Sequence, residues 1–135
     1  RNLIDVGYGV SQSLPLVVQA AVESQKRRLL FQQPEVHLHP KAQAALGTFL
    51  CDMILEDRQF VLETHSDYIL DRIRQEVAEG KIDPHRVKIL YFHRDGYETK
   101  IYPLDIDGSG NILKAPPMYR EFFLKEELQL LRRGQ

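Results

Sequence analysis

Three short polar segments carry residues whose types and spacing could do phosphate chemistry. The first is Asp5-Val6-Gly7-Tyr8-Gly9-Val10-Ser11-Gln12, a glycine-punctuated run ahead of an apolar helical pattern. A glycine turn feeding a helix start presents backbone N–H groups and the positive end of the helix dipole to an anion. Gly7 and Gly9 allow close backbone approach, and Ser11 adds a hydroxyl. Alone, the run reads as an ordinary capped loop. The second segment, Leu29 to Pro40, is an apolar run that ends in Gln32-Gln33-Pro34-Glu35. Amides at such a place accept and donate hydrogen bonds, but they are neutral. They hold Mg²⁺ more weakly than a carboxylate and cannot act as a strong base. The third, Phe60 to Asp67, puts His65 between Thr64 and Ser66 after another apolar run. A histidine there can donate to a phosphate oxygen or orient a water. Alone it reads as a structural histidine.

Two metal readings compete. Glu35, His37 and His39 alternate, so an extended chain would set all three on one side, a donor set that zinc accepts. Asp105-Ile106-Asp107-Gly108-Ser109 mimics the start of a calcium loop. Its twelfth position is Pro116 where a bidentate Glu is required, so a surface turn is expected instead.

The elements that must position these residues follow from hydrophobic period. Residues 1–12 read as a loop. A helix is expected from Ser13, as N-cap, to Gln25, with Leu14, Val17, Val18, Ala21 and Val22 on its inner face. Leu29-Leu30-Phe31 and Gln59 to Glu63 read as buried parallel strands. Pro40 opens a helix to about residue 56, and Ser66 or Thr64 caps another from Asp67 to Glu79, stopped by Gly80. Val87 to His93 and Lys100 to Leu104 form a hairpin about Asp95-Gly96, followed by a loop and a helix from Met118 to Arg133. The fold class is therefore α/β: a mostly parallel sheet flanked by helices, with an antiparallel hairpin at its edge. Ligands in such sheets sit at the C-terminal strand ends. That rule points to residues 32–40 and 63–67. The chain reads as a single lobe, with the site in 1–93 and a C-terminal strand, loop and helix in 94–135.

The totals agree with a globular protein. The chain has 135 residues, 43% of them hydrophobic and 27% charged, and a net charge of −1 from 18 basic and 19 acidic side chains. That balance speaks against a dedicated nucleic-acid or membrane-surface module. The single cysteine, Cys51, lies among Leu50, Met53 and Ile54, as a buried inert thiol would. One cysteine forms no internal disulfide, which fits the cytoplasm. No apolar run approaches the roughly 20 residues needed to span a bilayer. The chain opens on Arg1 directly into a motif, so a fragment of a longer protein is expected.

Taken together, Gln33-Pro34-Glu35-Val36-His37-Leu38-His39-Pro40 and Glu63-Thr64-His65-Ser66, one helix apart, resemble the ABC-type ATPase heads of the SMC/RecF/OLD group. The likeness is especially to the AAA-like ATPases related to OLD-family nucleases. The resemblance covers residues 3 to 93 and implies the C-terminal half of such a head. It implies a signature loop at Gly7, Gly9, Ser11 and Gln12 that caps the γ-phosphate of ATP held by the opposite protomer. The group often has Ser at the position of Gly7. Gln32 matches the Walker B acid that holds Mg²⁺ through water, and Gln33 the neighbouring catalytic carboxylate. Glutamine at both is a departure. Glu35 then supplies the base, or hydrolysis is slow, or one Gln is an introduced replacement that traps ATP. His37 and His39 fall in the D-loop at the dimer interface, and His65 matches the switch histidine. No Gly-x-x-x-x-Gly-Lys-Ser/Thr loop occurs in the chain.

The implied activity is Mg²⁺-dependent ATP hydrolysis in a homodimer completed by the protein's own N-terminal Walker A lobe. DNA repair and anti-phage defence both suit such a head, with DNA or a nuclease or effector subunit as partner. A hydrolysis-deficient ATP-binding interaction domain is the alternative, and a His/Glu metal-binding domain a lesser one.

Overall fold

The computed structural model describes residues 8–22, 28–55 and 58–119; the side chains of Tyr8, Val10, Ser11, Gln12 and Leu55 lie outside that description. The chain divides into two compact units, Arg1–Ile82 and Asp83–Gln135.

The first unit contains α1 (Tyr8–Val22), β1 (Arg28–Gln32), α2 (Pro40–Leu55), β2 (Gln59–Glu63) and α3 (Asp67–Ala78). β1 and β2 pair in parallel, with Leu30 opposite Val61 and Gln32 opposite Glu63. The strand alternation sends Leu29, Phe31, Phe60 and Leu62 to one face. Phe31, Phe60 and Leu62 pack on the core of Leu16, Leu46, Leu50 and Ile69. The Phe31 and Phe60 rings stack with centroids 5.9 Å apart. On the opposite face Leu30 and Val61 stay exposed, at 74% and 52%.

α3 ends as its sequence requires. Ser66 is its N-cap and accepts from the Ile69 N–H. At the other end the Lys81 N–H donates to the Glu76 carbonyl and the Gly80 N–H to the Val77 carbonyl, a Schellman closure. Gly80 supplies the left-handed residue, φ 73°, that this closure needs.

α1 departs from expectation. Residues 8–12 are helical rather than loop, so Ser13 lies inside the helix and its hydroxyl donates to the Gly9 carbonyl instead of capping. Of the expected inner face Val17 packs on the core, but Leu14, Val18, Ala21 and Val22 are exposed, and Leu16 and Ala20 are buried instead. Gly9, Ser13, Leu16 and Ala20 recur at helical spacing as the inward stripe. That stripe is short-chained, so a hydrophobic pattern passes over it. A Cβ on Gly9 would stand 2.7 Å from the His37 carbonyl oxygen, which shows how closely α1 lies on the segment after β1.

The second unit holds a 3₁₀ turn (Pro84–Arg86), β3 (Ile89–Asp95), β4 (Glu98–Ile106) and β5 (Ile112–Leu113). These strands form their own antiparallel sheet, ordered β3-β4-β5, rather than an edge of the parallel pair. Local pairing explains this, because a two-residue turn at Gly96-Tyr97 closes far less chain than a return to β1 or β2 would. The 105–117 segment is not all loop, since β5 pairs with the end of β4. The turn between them is built on Asp107, whose carboxylate accepts from the Ser109 and Asn111 N–H groups. That carboxylate serves the backbone, as the surface-turn reading requires. The expected helix from Met118 to Arg133 lies outside the described residues from position 120 onward.

Candidate functional site

The parallel register decides where the polar residues meet. Because Gln32 is opposite Glu63, both strands end at the same level, and Gln33 and His65 follow immediately on their two loops. Gln33 leaves β1 with its N–H donating to the Glu63 carbonyl at 2.8 Å, extending the ladder by one rung. Its backbone then turns left-handed, φ 45°. A residue with a Cβ adopts that conformation at a cost of about 1–2 kcal/mol. The turn brings the Gln33 amide back to donate to Glu63 Oε1 at 3.2 Å.

Glu35 is buried at 8% exposure, and its Oε1 accepts the His65 backbone N–H at 2.7 Å. Its Oε2 is buried with no hydrogen-bond partner. The carboxylate thus ties the loop after β1 to the loop after β2. Little of it is open to solvent.

His37 and His39 are both exposed. His37 is left-handed, φ 66°, in the turn after β1, and His39 Nδ1 accepts from the Lys41 N–H at the start of α2. Glu35 turns inward while the two histidines face out, so the three do not line one side. The turn over residues 34–37 breaks the extended alternation on which a zinc site depended. No group of three or more His, Cys, Asp or Glu side chains is placed to hold a metal among the described residues.

A second network braces the His65 loop. The Ser66 hydroxyl donates to Gln43 Oε1 at 2.5 Å, and the Gln43 amide donates to the Leu38 carbonyl. The Ser66 N–H donates to Thr64 Oγ1. The His65 side chain itself is exposed. Beside these tips a cleft of about 250 Å³ opens between α1 and β1, lined by Pro15, Leu16, Gln19, Phe31, Gln32 and Gln33.

Of the expected site residues, the fold brings Gln32, Gln33, Glu35 and His65 to one sheet end, and Gly9 against the His37-Leu38 segment. Ser11 and Gln12 stand in the first turns of α1 rather than in a loop. Gly7 lies outside the described residues. Glu63, exposed and opposite Gln32, joins Gln32, Gln33, Glu35 and His65 at that sheet end; its sequence signal is a carboxylate as the last residue of an apolar strand.

Magnesium held with a nucleotide keeps several waters and takes one or two carboxylates beside the phosphates. One exposed carboxylate, Glu63, with the amides of Gln32 and Gln33 next to it, is a donor set of that kind.

Away from the tips, Cys51 is buried, and its thiol is pushed up from 9.0 to about 12, first by burial and then by the charges of Glu76 and Asp52. Glu76 is itself buried, and Lys81 Nζ pairs with it at 2.8 Å. Three basic residues among those described are engaged within the protein. Arg28 donates to Gln59, Arg74 pairs with Asp71, and Lys81 pairs with Glu76 and Glu79. No helix among the described residues is long and apolar enough to cross a membrane.

A family profile described as "AAA domain, putative AbiEii toxin, Type IV TA system" matches residues 1–71, from before α1 into α3. No curated protein and no solved structure matches the chain.

Proposed function

Since the chain belongs to this family of AAA domains, its match covering 71 of 135 residues, we propose that it is the C-terminal half of an ABC-type ATPase head that binds ATP with Mg²⁺ at its strand tips. The family is one of nucleotide-binding, ATPase-like domains. The finer assignment, a head like those of the SMC/RecF/OLD group, rests on the register that aligns Gln32 with Glu63 and so gathers Gln33 and His65 at one sheet end.

In this reading His65 senses the γ-phosphate, and the start of α1, where Gly9, Ser11 and Gln12 fall, serves the ATP of a second copy. His37 and His39, both exposed, lie on the dimer-facing loop. The phosphate-gripping Walker A loop comes from the protein's own N-terminal lobe. The bare Leu30-Val61 face supports that partner, because parallel strands are stable with both faces covered. The protein works in the cytoplasm, and the toxin–antitoxin wording of the family description favours defence over DNA repair, with an effector subunit or DNA as the acted-on partner.

One observation favours a slow or hydrolysis-deficient version of this head. With amides at Gln32 and Gln33, and Glu35 buried and bonded to the His65 N–H, the described residues place no solvent-exposed carboxylate at the end of β1. ATP then acts as a long-lived clamp, and closing or opening the dimer is the output.

The test is ATP binding and ATP-dependent dimerisation of the full-length protein, by equilibrium dialysis and light scattering, for the unmodified protein and His65→Ala. Binding with dimerisation that His65→Ala abolishes is expected. A full-length protein that binds no ATP sinks the reading.

A further inference from the structure

Position 32 is where the β1 end should carry an acid, and it carries a neutral amide. The structure offers a replacement from the neighbouring strand. Glu63 is the residue opposite Gln32 in the parallel ladder, and both stand on the face that carries Leu30 and Val61, away from the helices. Opposite residues of a parallel pair lie within about 5 Å of one another. A carboxylate moved from the end of β1 to the end of β2 is thus displaced by one strand spacing only.

Three features hold Glu63 ready. Its backbone carbonyl takes the Gln33 N–H, which fixes the strand end. Its Oε1 takes the Gln33 side-chain amide, which orients the carboxylate toward the end of β1. Gln33 makes that bond from a left-handed backbone, the uncommon conformation for a residue bearing a Cβ. Strain of this kind persists where the surroundings over-determine it. Among the described residues of the unit, Asp52 lies on α2 and Glu79 pairs with Lys81. Glu35 and Glu76 are buried and bonded within the protein. Asp67 opens α3, and Asp71 pairs with Arg74.

We propose that Glu63 supplies the carboxylate that holds the nucleotide-bound divalent cation, standing in for the acid missing at Gln32, with the Gln33 amide as its positioning partner. The proposal rests on the nucleotide-head reading and deepens it. The Gln32-Gln33 pair then removes the base without removing the metal site, so ATP is kept with its cation and turned over slowly.

The experiment uses Mn²⁺ as a paramagnetic stand-in for Mg²⁺. Its binding to full-length protein saturated with ATP is followed by electron paramagnetic resonance. ATP binding is measured separately in excess EDTA. Glu63→Gln keeps the shape and an acceptor oxygen. It is expected to weaken Mn²⁺ on the order of tenfold or more, since outer-shell partners alone are worth that much, and to leave metal-free ATP binding unchanged. Adding Gln32→Glu to Glu63→Gln is expected to restore the metal, which a merely misfolded variant would not do. Unchanged Mn²⁺ affinity in Glu63→Gln, or no recovery in the double variant, overturns the assignment while the nucleotide-head reading stands. Failure of the unmodified protein to bind ATP defeats that reading and the assignment together.

Discussion

The His65 backbone N–H and the Glu35 carboxylate are joined at 2.7 Å across the gap between two strand-end loops, with Glu35 buried. The loop that follows β1 and the loop that follows β2 are therefore one mechanical piece. The start of α1 lies against the first of these loops, at Gly9 beside the His37 carbonyl.

Replacing Glu35 tests that joint. Glu35→Ala leaves the His65 N–H without its acceptor, which costs about 1–3 kcal/mol. Glu35→Gln keeps an acceptor oxygen and is expected to lose less. Urea unfolding followed by circular dichroism reads both. An alanine variant as stable as the unmodified protein would show that the bond is ornamental.

Gly9→Ala sets two effects against each other. Alanine in a helix gains about 1 kcal/mol over glycine from propensity. Here its methyl meets the His37 carbonyl at 2.7 Å, a backbone atom that cannot swing aside. Overpacking of this kind costs about 1–3 kcal/mol, so the variant should melt lower. A higher melting temperature would mean that α1 does not lie tightly on the turn after β1.

Cys51 gives an alkaline signature. Its thiol is raised from 9.0 to about 12 in the fold, so the folded state keeps a proton that the unfolded chain releases first. Stability from this group is complete below 9.0 and drains as pH climbs from there toward 12. The urea midpoint of the unmodified protein should fall over that range more steeply than that of Cys51→Ala, a comparison that cancels the lysines. Iodoacetamide at about pH 8 should label Cys51 only after unfolding, since the thiolate is the nucleophile. Rapid labelling of the native protein, read by mass spectrometry, contradicts the buried placement.

Much of the first unit was legible because its signals are local. Pro40 opening α2, Ser66 capping α3 and Gly80 closing it are each set by one residue's chemistry, and the strands β1 and β2 are continuous apolar runs. The motif neighbours Gln33 and His65 were legible as well. What stayed hidden depends on the third dimension. The inward stripe of α1 is made of Gly9, Ser13 and Ala20 about Leu16, residues whose small size matters only once another segment lies against them. The inward turn of Glu35 follows from left-handed backbone at Gln33 and His37, which carry no sequence mark as glycine would. Glu63 joins the strand-end cluster only through register, because nothing in a linear reading says that Gln32 and Glu63 are neighbours. The separate antiparallel sheet likewise turns on which strands choose each other.

The Leu30-Val61 face has a practical consequence at the bench. The two side chains form an apolar strip between the polar pairs Arg28–Gln59 and Gln32–Glu63, and such a strip leaves water most readily by meeting another. Preparations of this chain alone should therefore show light scattering that rises steeply with concentration and with sulfate and falls in mild urea, and replacing Leu30 by Lys should quiet it without touching the helices beneath.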